Sequence, residues 1–196
     1  MSNALCLKGE IVTNTETCMR EMRLISSLFF KSTDFDEQWV LFKAYLTTLH
    51  SLTDNDKTAK NNFIKNELLN FSLVLRNIIH HQPAKWHFGK HDVYPTGFSF
   101  QASKNTGATF TGRLSLVIQK NTLENLDLQN TLKKNSEKQY DVLLSSLEKI
   151  NSHVILVSQV IKDIQDYTEK YCKEKGLYTE KYDKISSGYK LIKENA

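Results

Sequence analysis

The sequence predicts a mainly α-helical bundle carrying a small β-hairpin insertion. Apolar residues recur at steps of three and four through most of the chain. Glycine and proline crowd into one interval between 83 and 112, and within it apolar residues alternate with polar ones instead. A chain of 196 residues with 40% hydrophobic and 24% charged content suits one folded domain with a proper core. The expected division is therefore a single helical domain over 1–196, with a loop and hairpin inserted at about 83–120.

The first helix is expected from Thr13, whose hydroxyl stands three residues before Glu16 in capping-box spacing. Met19, Met22, Ile25, Leu28 and Phe29 give it one apolar face. Asp34 and Glu37 repeat the start signal, and Trp39, Phe42, Leu46 and Leu49 carry a second helix to Thr53-Asp54-Asn55-Asp56. Lys57 to His81 reads as a third helix, the most apolar of the set. It stops at Pro83, which disfavours helical geometry at Gln82.

Both prolines, Pro83 and Pro95, and four of the seven glycines, Gly89, Gly97, Gly107 and Gly112, fall in the next stretch. Phe98 and Phe100 alternate with polar neighbours, Lys104-Asn105-Thr106-Gly107 suits a turn, and Leu114, Leu116 and Ile118 form the face of a returning strand. A helical start follows at Asn121, with Glu124 in capping-box spacing. Tyr140, Leu143, Leu147, Ile150, Val154, Val157, Ile161 and Ile164 then make one long apolar seam, ended by Gly176. Packing within one chain is the preferred use of that seam; a dimer seam is the other. Tyr178, Tyr182 and Tyr189 lie in a charged tail.

The net charge of +4 permits an anionic partner such as RNA without demanding one, because no run of Lys or Arg forms a block. Cys6, Cys18 and Cys172 have no paired spacing, and no apolar run reaches 18 residues. The expectation is a reducing, cytoplasmic location without a membrane span. There is no nucleophile elbow and no Gly-rich phosphate loop.

The chemical interest lies at the end of the third helix, Leu73-Val74-Leu75-Arg76-Asn77-Ile78-Ile79-His80-His81-Gln82-Pro83. A cation, an amide and two imidazoles set into an otherwise apolar helix are costly unless they pair or act on something. Arg76 and His80, four apart, share a helix face, as do Asn77 and His81. Arg76 and His81 point about 140° apart on an ideal helix, so an unwinding last turn or a second chain is needed to bring them together.

Arg followed directly by a polar residue, then three residues, then His, resembles the signature of the HEPN superfamily, and Arg76-Asn77-Ile78-Ile79-His80-His81 fits that spacing. The resemblance implies a helical bundle, often dimeric, that cleaves RNA without a metal or other cofactor in a toxin, phage-defence or RNA-processing setting. It implies a composite site at a homodimer interface, with Arg76 on the scissile phosphate, His81 as base or acid, and Asn77 and His80 in support. The products would carry 2′,3′-cyclic phosphate and 5′-hydroxyl ends. A family subgroup with a Tyr two positions after the His partners a nucleotidyltransferase; this chain has Pro83 there, and that partner is not carried over. The residue types suit the chemistry: imidazole titrates near working pH, and a guanidinium holds phosphate through two parallel hydrogen bonds.

Around the motif, Lys85, Trp86, Lys90 and Arg113 are candidate RNA contacts, with Trp86 equally suited to pinning the loop on the bundle. His80, His81, His87 and His91 crowd into twelve positions. Gly89 and the flanking prolines argue against a helix for His87 and His91, and no metal site is expected. A metal-dependent phosphohydrolase is therefore a distant third class. The alternative to a nuclease is a non-catalytic interaction module of a defence or toxin system, with a protein antitoxin or regulator as partner. In it Arg76 and His80 would be sealed against acids such as Asp36 or Glu37.

Overall fold

A three-residue corner, Ser32 to Asp34, turns α1 (Asn14–Lys31) back along α2 (Phe35–Asn55). The Asp34 carboxylate caps α2 by accepting the Glu37 N–H at 2.9 Å. The return half of the capping box is routed through Ser32. Its hydroxyl donates to the Glu37 carboxylate at 2.5 Å and accepts the Asp34 N–H at 3.2 Å. Thr13, the expected cap of α1, lies outside the described residues. The structure, a computed structural model, describes residues 14–55, 57–81, 93–103, 107–124 and 136–176.

The predicted third helix is two. α3 (Lys57–Lys65) ends at Asn66 and α4 (Glu67–His81) starts beyond it. Asn66 makes the break: its side-chain oxygen accepts the Leu69 N–H at 3.1 Å, while its own N–H bonds back to the Phe63 carbonyl at 3.0 Å. An asparagine side chain competes with the helical ladder in this way, and here it wins. The gain is direction, because Phe63 and α4 can then both reach the core.

The insertion is a hairpin of β1 (Val93–Ser103) and β2 (Gly107–Gln119), antiparallel, with Ser103 opposite Gly107. The register shifts between Pro95 and Gly97, which lets a proline without an N–H sit in the strand. Turn residues 104–106 lie outside the described residues. The expected alternating face fails at its start: Leu114 is 53% exposed, while Leu116, Val117 and Ile118 are buried in succession. β2 is covered at that end because α2, α5 and α7 pack against it, while the third strand, β3, pairs along its edge.

That strand corrects the long-seam expectation. α5 (Lys120–Glu124) is a short helix, and the seam is divided among α6 (Ser136–Glu148), β3 (Val154–Leu156) and α7 (Val157–Glu174). β3 pairs antiparallel with β2, Val117 opposite Leu156, giving the order β1-β2-β3. Lys120 anchors the crossing from both sides, donating its backbone N–H to the His153 carbonyl at 3.0 Å and its Nζ to the Ile150 carbonyl at 3.1 Å. The spacing of Ile150 and Val154 suits a helix, but pairing across sequence outweighs that local preference. Gly176 closes α7 as predicted, at φ +64° with its N–H on the Lys173 carbonyl at 3.1 Å.

The core lies among α1, α2, α4, α6 and α7, with Phe42, Tyr45, Leu46, Leu49, Leu75, Ile78, Ile161 and Ile164 buried together. Tyr45 donates its hydroxyl to the Ile161 carbonyl at 3.3 Å, and burial holds its phenol well above the ordinary range, so it stays protonated. Arg23 of α1 pairs with Glu169 of α7 at 3.0 Å. Cys18 and Cys172 are buried free thiols. Among the described residues no helix is long and apolar enough to cross a membrane.

Candidate functional site

From Leu69 to Leu75, α4 is sunk in the bundle; at Arg76 it begins to emerge. Arg76 and Asn77 are half-buried, Ile78 and Ile79 are buried, and His80 is exposed. The alternation follows from helical geometry: 75, 78 and 79 continue the core stripe, and 76, 77 and 80 fall on its flank.

Arg76 is held, but not neutralised. Its Nη1 donates to the Asn77 side-chain oxygen at 3.1 Å. Its Nε is buried and has no hydrogen-bond partner among the described residues, where no carboxylate pairs with the guanidinium either. Glu37, one of the acids considered for that pairing, is taken by Ser32 at the opposite end of α2. A buried charged donor left without an acceptor costs roughly 1–3 kcal/mol or more. Such a group is suited to receive an anion.

Arg76, Ile79 and His80 form one wall of a cleft of about 310 Å³, and Lys43, Leu46 and Thr47 of α2 form the other. That volume is at the small end of ligand pockets, ~300–1,000 Å³, enough for one phosphodiester unit with its neighbouring atoms. Among the described residues the lining contains two permanent cations, one imidazole, a hydroxyl and an apolar floor, and no carboxylate. Lys43 also lies over the Trp39 ring, its Nζ 5.8 Å from the centroid. Arg76 and His80 share the cleft, as their spacing predicts.

His50, one turn beyond Thr47 on α2, adjoins this group and was not singled out in the sequence. Its Nδ1 lies 3.0 Å from Asp54 Oδ2. Partial burial, then the positive charge of Arg76, hold its imidazole below the ordinary histidine range; Lys60 and His80 act the same way, and Asp54 opposes them. A signal existed. Lys43, Thr47, His50 and Asp54 are spaced four, three and four apart, a polar stripe along one side of an otherwise core-facing helix.

His81 is the last residue of α4, and its side chain lies outside the described residues, as do Lys85, Trp86, His87, Lys90 and His91. Arg113 stands on β2 opposite Gly97. Among the described residues no group of three metal-ligating side chains comes together.

Fold and cleft together define a helical bundle with a hairpin and a basic, imidazole-bearing cleft between α2 and α4. Compared with models of known families, with curated proteins and with solved structures, the chain gives no match.

Proposed function

We propose that the chain binds RNA in the cleft between α2 and α4 and cleaves it without a metal, by attack of the 2′-hydroxyl on the adjacent phosphorus. The observation that carries the reading is Arg76, a partly buried guanidinium whose Nε has no partner among the described residues, set beside Lys43 and His80 in a cleft that those residues line without an acid. Arg76 and Lys43 hold the phosphate as negative charge builds on it, and Asn77 fixes the guanidinium through Nη1. The imidazoles at the end of α4, His80 and His81, exchange protons with the 2′-hydroxyl and the leaving 5′-oxygen. The resemblance of Arg76-Asn77…His81 to the HEPN signature supports the same chemistry, a homodimer, and a toxin or phage-defence role.

The test is cleavage of a mixed RNA pool in EDTA, with the ends of the fragments identified. The native protein is expected to leave 2′,3′-cyclic phosphate and 5′-hydroxyl ends, and folded Arg76→Ala and His81→Ala to leave the pool intact. Equal behaviour of all three preparations removes the reading.

One observation favours the second reading, a non-catalytic module with a protein partner. Leu24 and Leu28, one turn apart on α1, are exposed at 60% and 43%, and Val40 of α2 at 57%; a protein partner would cover such side chains.

A further inference from the structure

His50 lies one helical turn beyond the cleft wall that Lys43 and Thr47 form, with Asp54 a further turn on. Lys43 and Thr47 line the cleft, and His50 follows on the same side of α2, within the electrostatic reach of Arg76 and His80 from α4. Asp54 at 3.0 Å from Nδ1 holds the imidazole in the tautomer with its proton on that nitrogen. Nε2 is then left with its lone pair, the form in which an imidazole accepts a proton. The charged and titratable groups that bear on it are Arg76 and His80 of α4, Lys60 of α3 and Asp54 of its own helix. Three of these are cationic or can become so, which keeps His50 neutral and ready while Arg76 keeps its charge for the phosphate.

We infer that His50, positioned by Asp54, is the base that takes the 2′-hydroxyl proton, so that the proton-transfer pair of the proposed cleavage is assembled within one chain from α2 and α4. The inference rests on the RNA-cleavage reading and assigns a residue outside the Arg76–His81 motif. In the step, Nε2 of His50 removes the proton as the 2′-oxygen forms a bond to phosphorus. The bond from phosphorus to the 5′-oxygen breaks, and that oxygen takes a proton from an imidazolium at the end of α4, where His80 and His81 stand. The step ends with His50 protonated and the α4 imidazole neutral, and exchange with water resets both.

An i,i+4 His–Asp pair also occurs as a plain helix-surface contact worth a few tenths of a kcal/mol, so the test must read proton transfer. Cleavage of an RNA oligonucleotide in EDTA is followed from about pH 5 to 9 for the native protein, His50→Gln and Asp54→Asn, with folding checked by circular dichroism. The native rate is expected to rise with pH through an inflection below the ordinary histidine range, as His50 gives up its proton. It is expected to fall again at higher pH as the acid at the end of α4 gives up its own. His50→Gln is expected to lose about 100-fold and the inflection with it. Asp54→Asn, which removes the one group that raises the His50 pKa, is expected to lose about tenfold and to move the inflection lower.

A folded His50→Gln that cuts within about twofold of native, inflection intact, overturns the inference and leaves the cleavage reading standing. Should His50→Gln not fold, Asp54→Asn decides, because its carboxylate is largely exposed; an unmoved inflection overturns the inference. A native protein that cuts nothing removes the cleavage reading, and the base assignment with it.

Discussion

From Leu69 to Leu75 the fourth helix does nothing but pack: Leu69, Phe71, Val74 and Leu75 are buried, and its one fully buried polar side chain, Ser72, donates to the Leu68 carbonyl at 2.7 Å. From Arg76 to His80 the same helix carries a guanidinium, an amide and an imidazole, with one charged nitrogen left without an acceptor among the described residues. The first half satisfies every demand internally. The second is satisfied only in part, and it is the half that borders a cleft. Local stability and local chemistry therefore separate along a single helix, and substitutions in the two halves are expected to fail differently.

The largest effect belongs to the packed half. Leu75→Ala removes a fully buried side chain and is expected to cost about 2–5 kcal/mol in urea unfolding, with cleft properties lost only as the fold is lost. Next is the joint that aims α4. Asn66→Ala deletes the cap on Leu69 and is expected to cost about 1 kcal/mol by the same measurement, and Asn66→Gly only a few tenths. In the polar half the pattern reverses. Arg76→Met breaks no ion pair and removes the unsatisfied Nε, so its unfolding free energy is expected to stay within about 1 kcal/mol of native while RNA affinity in a filter-binding assay drops. A loss above about 2 kcal/mol would make Arg76 a structural residue and erase the contrast.

The smallest effect is a pH dependence. The His50 pKa is lower folded than unfolded, so between the two values the unfolded chain binds more protons. Its contribution is complete above the ordinary histidine range and shrinks as pH falls through that range toward the folded value. Thermal melts from about pH 8 to 5 are expected to show a modest decline that His50→Gln reduces. A decline identical in both proteins would locate it elsewhere.

How much of this was legible beforehand depends on whether the signal was local. The α1–α2 corner was written in Asp34 and Glu37, and the stop of α7 in Gly176, since caps act within a few residues. Asn66 was equally local, but the helical spacing from Phe63 and Ile64 to Leu68 and Leu69 runs straight across it and hides it. The seam from Tyr140 to Ile164 misled for a different reason. Its spacing is helical throughout, and only pairing with Val117–Gln119 and the reach of Lys120 make Val154–Leu156 a strand. At the site, Arg76 and His80 could be placed together from spacing on one helix. Lys43, Thr47 and His50 could not be joined to them, because that meeting depends on how α2 crosses α4.

The central claim is that the polar end of α4 receives a phosphate oxygen through Arg76. It is tested most directly by titrating inorganic phosphate into the protein while following the histidine imidazole resonances by NMR, in native protein and in folded Arg76→Met. The account predicts saturable shifts of His80 and His50 in the native protein, and a loss of at least tenfold in phosphate affinity when Arg76 is replaced, equivalent to about 1.4 kcal/mol. Shifts that persist unchanged in Arg76→Met, or none in the native protein, would contradict it.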